Sequence, residues 1–227
     1  MINYCKMRLF HIADTIRFNG VAYFLHEIVY RNREAILVEK DLSSVRPPED
    51  ALRQTDMHIE EITRPAIAGR ALQFPVKNRS LKAAHYLNKG YSGFALVSGN
   101  QVIGDIWYAG APTTQDGAIP PDVGWLGIRC EDKYAYTFDM YVDPRKRGGT
   151  MASLLQLGAL HELKKKGFVR AFGFFWFNNI PALWVHRMLK WRELARIKVT
   201  RFFFIKFVTC SQSNDAPDAR SSVLWDA

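Results

Sequence analysis

The chain has 227 residues, 48% of them hydrophobic, and a net charge of +9, with a pI of about 9.5. That is enough apolar material for one large domain, or one domain with an added segment, and the charge favours anionic partners. Cys5, Cys130 and Cys210 are scattered without a Cys-x-x-Cys pair, which argues against a zinc ribbon or redox site and fits a reducing compartment.

Residues 8–30 place Leu9, Ile12, Ala13 and Ile16, then Val21, Phe24, Leu25, Ile28 and Val29, at helical spacing, with a break at Asn19-Gly20. Arg8, Arg17, Arg31 and Arg33 flank this stretch. Two readings stay open: a helix lying on an anionic membrane surface, or an extra helix packed on the domain or against a second copy in a homodimer. The N-terminus has no apolar region ending in a small-residue cleavage site, and no run approaches the ~18 apolar residues that span a bilayer. A cytoplasmic protein, soluble or peripheral at the membrane, is the expectation.

Glu34 to Asp41 reads as a strand and Ser43 to Gln54, with Pro47-Pro48, as a linker. Met57 to Thr63 alternates as a strand does, and short helices follow around Pro65 to Leu72 and Leu81 to Asn88. Phe94 to Val97 and Val102 to Tyr108 are strands joined by Ser98-Gly99-Asn100, a hairpin signal. Residues 110–133, rich in glycine and proline, form a long connection that reads either as a substrate lid or as a surface excursion.

Tyr134 to Val142 has the β-branched and aromatic character of a strand, and Pro144 stops it. Arg145-Lys146-Arg147-Gly148-Gly149-Thr150 forms the turn that follows. Met151, Leu154, Leu155, Gly158 and Ala159 then mark the buried face of a helix. A helix start leaves about four backbone N–H groups without partners and is partly positive. Paired glycines remove the Cβ atoms that would keep an anion away, and they accept positive φ. Three cations complete a cradle for a phosphate or pyrophosphate, and a solvated basic turn is the plain alternative. Neither the nucleoside-triphosphate loop nor the dinucleotide fingerprint fits the spacing.

Lys164-Lys165-Lys166-Gly167 reads as an exposed helix C-terminus. Val169 to Phe177 is the next strand, followed by a helix from Asn179. Leu194 to Val208 contributes one or two strands, and Ser211 to Ala227 reads as a disordered tail.

Arg145-x-x-Gly148-x-Thr150 resembles the acyl-CoA loop of the GNAT acetyltransferase superfamily. Tyr141-Val142-Asp143-Pro144 is similar to that family's strand end. Asn179-Ile-Pro-Ala182-Leu-Trp-Val-His186-Arg-Met-Leu-Lys190-Trp191 is similar to its Asn-x-x-Ala-x-x-x-Tyr-x-Lys-x-Gly-Phe run. The resemblance covers residues 92–208. Three positions depart from the pattern: Thr150 replaces a small residue, His186 a tyrosine, and Lys190-Trp191 a Gly-Phe pair.

The resemblance implies a three-layer α/β/α (α+β) fold around a mixed, mostly antiparallel sheet splayed at its central strands. It places that domain at residues 51–210, after an N-terminal segment and linker at 1–50 and before a tail at 211–227. It implies an N-acyltransferase, moving an acetyl or other acyl group from acyl-CoA to a small-molecule amine, such as an amino sugar or cell-surface polysaccharide precursor. The amides of Arg147, Gly148, Gly149, Thr150 and Met151, with Arg145 beside them, would hold the pyrophosphate. The backbone of Met140, Tyr141 and Val142 would hold the pantetheine, with Asn179 nearby.

By the same resemblance His186 stands at the thioester sulfur as the proton donor. Strand alternation puts Tyr136, Phe138 and Met140 on one face with Val142 and turns Asp139 away. Tyr136 could then order a water, and the base comes either through water or from Asp122 or Glu131. No metal and no nucleic acid is expected. Two alternatives stand beside this reading. One is a long-chain acyltransferase using an acyl carrier protein, with Phe174, Phe175, Trp176 and Phe177 walling a tunnel. The other is a degenerate domain that only binds.

Overall fold

The structure is a computed structural model, and it describes residues 30–110, 120–128, 131–202 and 205–211, with 13, 16, 17, 20 and 21. The strands are β1 (Tyr30–Asp41), β2 (His58–Glu61), β3 (Ser92–Ser98), β4 (Gln101–Gly110), β5 (Tyr134–Val142), β6 (Arg170–Trp176), β7 (Arg192–Phe202) and β8 (Ile205–Ser211). The helices are α1 (Glu49–Gln54), α2 (Arg64–Ala68), α3 (Lys77–Asn88), α4 (Pro121–Leu126), α5 (Met151–Lys165) and α6 (Ile180–Met188). Among the described residues they build one sheet in the order β2-β3-β4-β5-β6-β1-β7-β8. β5 and β6 are parallel, and every other neighbouring pair is antiparallel.

Alternation along the strands separates two apolar layers. On β3, Phe94 and Leu96 face a core shared with Leu154, Leu155, Ala159 and Leu163 of α5. Ala95 and Val97 face the other side, where Trp107 and Ala83 of α3 lie. A third cluster extends that second side under β1, β6 and β7, with Trp125 and Leu126 of α4 packed on Tyr136 and Ile197. Helices therefore cover both faces of the sheet, as the sequence led us to expect.

One irregularity positions the site. Trp107 of β4 pairs with Phe138, but Asp105 pairs with Tyr141, so β5 carries an extra residue between the two pairs. Asp139 absorbs it with φ +48. The bulge reverses the alternation. Before it, Ala135 faces α5; after it, Val142 does. Tyr136 and Phe138 face the opposite cores. They do not share a face with Val142, as unbroken pleating would require, because one inserted residue shifts every later side chain by half a pleat.

Several other expectations change. Residues 43–54 are not a plain linker: a 3-10 turn at Leu42–Ser44 and α1 occupy them. Lys164 is more than a solvated helix end, since its Nζ donates to the carbonyls of Ser43 at 2.9 Å and Val45 at 3.0 Å. Lys166 pairs with Glu61 at 2.9 Å. α4 supplies a helix within the long connection after β4. The sheet also crosses the expected boundary at residue 50, because β1 lies between β6 and β7.

Of the N-terminal stretch, Ala13, Ile16, Arg17 and Val21 are helical and Gly20 turns with φ +85. The rest of that segment and residues 212–227 of the tail lie outside the described residues. Among those described, no helix is long and apolar enough to cross a membrane.

Candidate functional site

The parallel pairing of β5 with β6 is short. It runs through Tyr134↔Arg170, Ala135↔Ala171 and Tyr136↔Phe172 and then stops, although both strands continue. Thr137 Oγ1 makes a last stitch to the Phe172 carbonyl at 3.0 Å. Beyond it the strands diverge, and among the described residues no strand lies beside the edge of β5 from Phe138 to Val142 on that side. This is the splayed seam expected in the sheet.

The glycine turn stands at the wide end of the seam. Pro144–Lys146 forms a 3-10 turn, Gly148 and Gly149 take φ +107 and +58, and α5 starts at Met151. Both glycines are in the left-handed region that other residues avoid, and a Cβ on either would meet only open space. Thr150 is the N-cap residue of α5, but no side chain caps the helix. Its first N–H groups thus keep their partial positive charge for an anion.

Two of the three cations of the turn have local work. Arg145 donates to Asp143 through Nε at 3.1 Å and Nη2 at 2.7 Å. Hydrogen bonds from Arg145 hold the Asp143 carboxylate below the ordinary range, outweighing the effect of burial. Arg147 Nε donates to the Val142 carbonyl at 3.1 Å. That carbonyl, one of the backbone groups expected to meet pantetheine, is already engaged. Met140 is 36% exposed on the strand edge, and Tyr141 lies half-buried beneath the Arg79 guanidinium, 4.7 Å away.

A cleft of about 1660 Å³ runs through the seam. Arg147, Gly148, Gly149, Met151, Asn179 and His186 border one side of it; Lys82, His85, Tyr86, Asp122, Phe138 and Asp139 border the other. Of the catalytic, base and cofactor-binding residues singled out in the sequence, Tyr136, Glu131, Tyr141, Arg145 and Thr150 are not among its walls. Tyr136 is fully buried in the core beneath α4, because it precedes the bulge. Asn179 is the N-cap of α6, where its Oδ1 accepts from the Ala182 amide at 3.3 Å.

His186 has a defined tautomer. Its Nδ1 lies 2.7 Å from the Ala182 carbonyl, which can only accept, so Nδ1 carries the proton. Nε2, 3.3 Å from the Gln156 amide nitrogen, is then the acceptor. The ring stacks on Phe175 at 4.6 Å. Burial pushes its pKa below the ordinary imidazole value, and the Ala182 bond only partly opposes this. A neutral ring with its one N–H committed does not offer the proton expected of it. Gln156, invisible in the motif, is 3% exposed, and its Oε1 has no hydrogen-bond partner among the described residues.

On the opposite wall, burial, together with Lys89 and Lys82, lowers the pKa of His85. Asp122 accepts from Trp125 Nε1 at 2.9 Å. Asp139, which alternation alone turned away from the site, borders the cleft and pairs with Arg79 at 3.0 Å and Lys82 at 2.9 Å. A polar residue in the middle of an apolar strand was the available sign of it.

No protein-family model and no curated protein matches the sequence. Solved structures do match in shape. A GCN5-related glucosamine N-acetyltransferase region of a fungal multi-domain GH3 β-N-acetylglucosaminidase superposes with TM-score 0.54 at 12% identity, over 80% of this chain and 22% of that one. The chain has the GNAT fold. Other GNAT structures that match are a GCN5-related N-acetyltransferase from Kribbella flavida, at TM-score 0.44 and 13% identity over 80% of this chain and 63% of that one. Another, from Sphaerobacter thermophilus, matches at TM-score 0.48 and 10% identity over 87% and 58%. The chain thus spans less than two thirds of the length of these GNAT structures. At these identities the likeness is one of fold.

Proposed function

We propose that the protein is an N-acyltransferase that takes an acyl group, most simply acetyl, from acyl-CoA and passes it to the amine of a small molecule. One observation carries this reading: a parallel strand pair that separates after Tyr136, with an uncapped helix start and a paired-glycine turn at its open end. Such a seam offers hydrogen-bonding backbone to an extended amide-bearing arm, and the helix start suits a diphosphate.

In this reading the amides of Gly148 to Met151 and the Arg147 guanidinium hold the diphosphate. The β5 edge at Met140 and Tyr141 orients the pantetheine, and Asn179 braces the facing end of α6. Bound acyl-CoA supplies the activated thioester. The acceptor enters from the α3 side, and its amine must arrive unprotonated. His85 is the base we assign: it borders that wall, and its lowered pKa keeps it neutral at neutral pH. Asp122, one of the two bases expected from the sequence, borders the same wall, where its carboxylate accepts from Trp125. His186 positions α6 against Gln156 and is not assigned the proton-donor role. An amino sugar is one amine of the proposed class; glucosamine is the substrate named for the fungal region.

The test is thermal unfolding with acetyl-CoA, longer acyl-CoAs and CoA, followed by thioester turnover with a panel of amines. Ligand at about 100 times its Kd should stabilise by about 2.7 kcal/mol. Gly148→Val should fold and lose that shift, because valine does not adopt φ +107. No shift with any acyl-CoA would overturn the proposal. A shift without turnover on any amine would leave a binding domain. His85→Gln should lower kcat/KM by about 10²-fold or more with the shift intact.

A further inference from the structure

Arg79, on α3, is 5% exposed. Its Nε donates to Asp105 Oδ1 at 3.2 Å, and Nη2 donates to the other oxygen of the same carboxylate. Nη1 donates to Asp139 Oδ2 at 3.0 Å, and Nη2 also reaches the Asp139 carbonyl at 3.4 Å. Trp107 Nε1 holds Asp105 from below at 2.8 Å. Lys82 Nζ takes Asp139 Oδ2 at 2.9 Å. The Tyr141 ring lies 4.7 Å under the guanidinium. One side chain from a helix thus grips both strands at the point where their pairing slips by a residue.

We infer that Arg79 and Asp139 are positioning residues whose buried ion cluster fixes the β5 bulge and thereby holds the β5 edge away from β6. Asp139 is the residue that takes the left-handed conformation, with φ +48. Aspartate tolerates that region better than most, but glycine would serve there without any partner. A cluster of four charged groups under a bulge is therefore more than the backbone turn requires. Buried ion pairs are poor sources of stability, and their best-attested use is to select one arrangement over its neighbours.

Here the neighbouring arrangement is a β5 without the bulge, in which Asp139 and every residue after it change faces. Burial alone would raise the Asp139 pKa, but Arg79, Lys82 and a bond from Tyr86 outweigh it and keep the carboxylate charged. Asp139 and Lys82 also border the acceptor side of the cleft. The cluster thus ties the acceptor wall to the strand edge assigned to the donor, and that last link rests on the proposed function.

The test compares Asp139→Asn, Asp139→Gly and Arg79→Lys with the wild type and with Lys166→Met, which breaks a surface pair with Glu61. Amide exchange over residues 137–142 is read in the free protein, alongside CoA affinity by calorimetry and the melting temperature. Asp139→Asn keeps the shape but loses the charge, and Arg79→Lys keeps the charge but lacks the planar fork that binds Asp105 through two nitrogens and Asp139 through a third. Both should speed exchange at 137–142 by about tenfold or more, with exchange in β7 nearly unchanged. CoA affinity should weaken by roughly tenfold.

Asp139→Gly decides between conformation and cluster. It should behave like Asp139→Asn. If Asp139→Gly exchanges and binds CoA as the wild type does, a φ-tolerant residue suffices and the inference fails. It fails too if exchange rises equally across the whole sheet in step with melting temperature, as in general destabilisation. If the wild type binds no CoA, the proposed function falls, while exchange at 137–142 still decides whether the cluster holds the bulge.

Discussion

At the scale of single residues, His186 links protonation to stability below neutral pH. An imidazole in the unfolded chain takes its proton near its ordinary pKa of about 6.5. Burial holds the folded His186 lower, and His85 is shifted in the same direction. Between the folded and unfolded values the unfolded chain binds more protons, so stability rises with pH across that window. It is complete above the unfolded value and is lost as pH falls towards the folded one. Urea unfolding between pH 5.5 and 7.5 should show that slope, and His186→Phe should flatten it.

The same variant leaves the buried Gln156 amide without its acceptor, which costs about 1–3 kcal/mol at pH 7.5. If transfer activity is present, it should survive within about tenfold, because an acid–base contribution is worth about 10²–10⁴-fold and His186 supplies none. A loss of 10³-fold with the pH profile stripped of one limb would return the proton-donor role to this ring. Gly148, Gly149 and Asn179 were readable from the sequence because each answers a local backbone demand: positive φ at the turn, and a cap for α6. The partner of His186 Nε2 was not readable, since it is Gln156, thirty residues earlier on another helix.

At the scale of elements, β5 and the start of α5 were placed to the residue, because a period of two ends at Pro144 and a period near 3.6 starts after the glycines. What the pattern of β5 could not reveal was its bulge. Tyr136, Phe138 and Met140 look like one face of a regular strand, and only the slipped pairing with β4 separates them. The misplacement of Tyr136 follows from that alone.

α5 is the element on which the cradle depends. Leu155 is fully buried on it and packs with Phe94, Leu96 and Val142 in the core next to the turn. Leu155→Ala should cost about 2–5 kcal/mol by chemical denaturation, from lost burial and the cavity left behind. Because the first turn of α5 makes the proposed diphosphate site, CoA affinity should fall more for Leu155→Ala than for an equally destabilising change in β7, such as Val199→Ala. Equal affinities at equal stability would separate the helix from the site.

At the scale of the whole molecule, the informative fact is where β1 sits. It is the first strand among the described residues, yet it pairs with β6 on one side and β7 on the other. Glu39 on β1 accepts from Arg170 of β6 at 2.7 Å and is also bonded by Arg192 of β7. A sequence reading that groups residues 1–50 as an added segment has no local signal against it, because strand order is a long-range property. Alternation shows that residues 34–41 form a strand but not between which partners. Removing that strand would leave β7 and β8 attached only through a gap in the ladder, and would expose two apolar edges ready to pair with other chains. A chain starting at residue 42 should therefore give aggregated protein, whereas one starting at residue 30 should keep a cooperative unfolding transition. Size-exclusion chromatography and thermal unfolding of the two truncations decide the point. A folded, monomeric chain from residue 42 would mean that β6 and β7 can close on each other, and that the N-terminal strand is an accessory to the sheet.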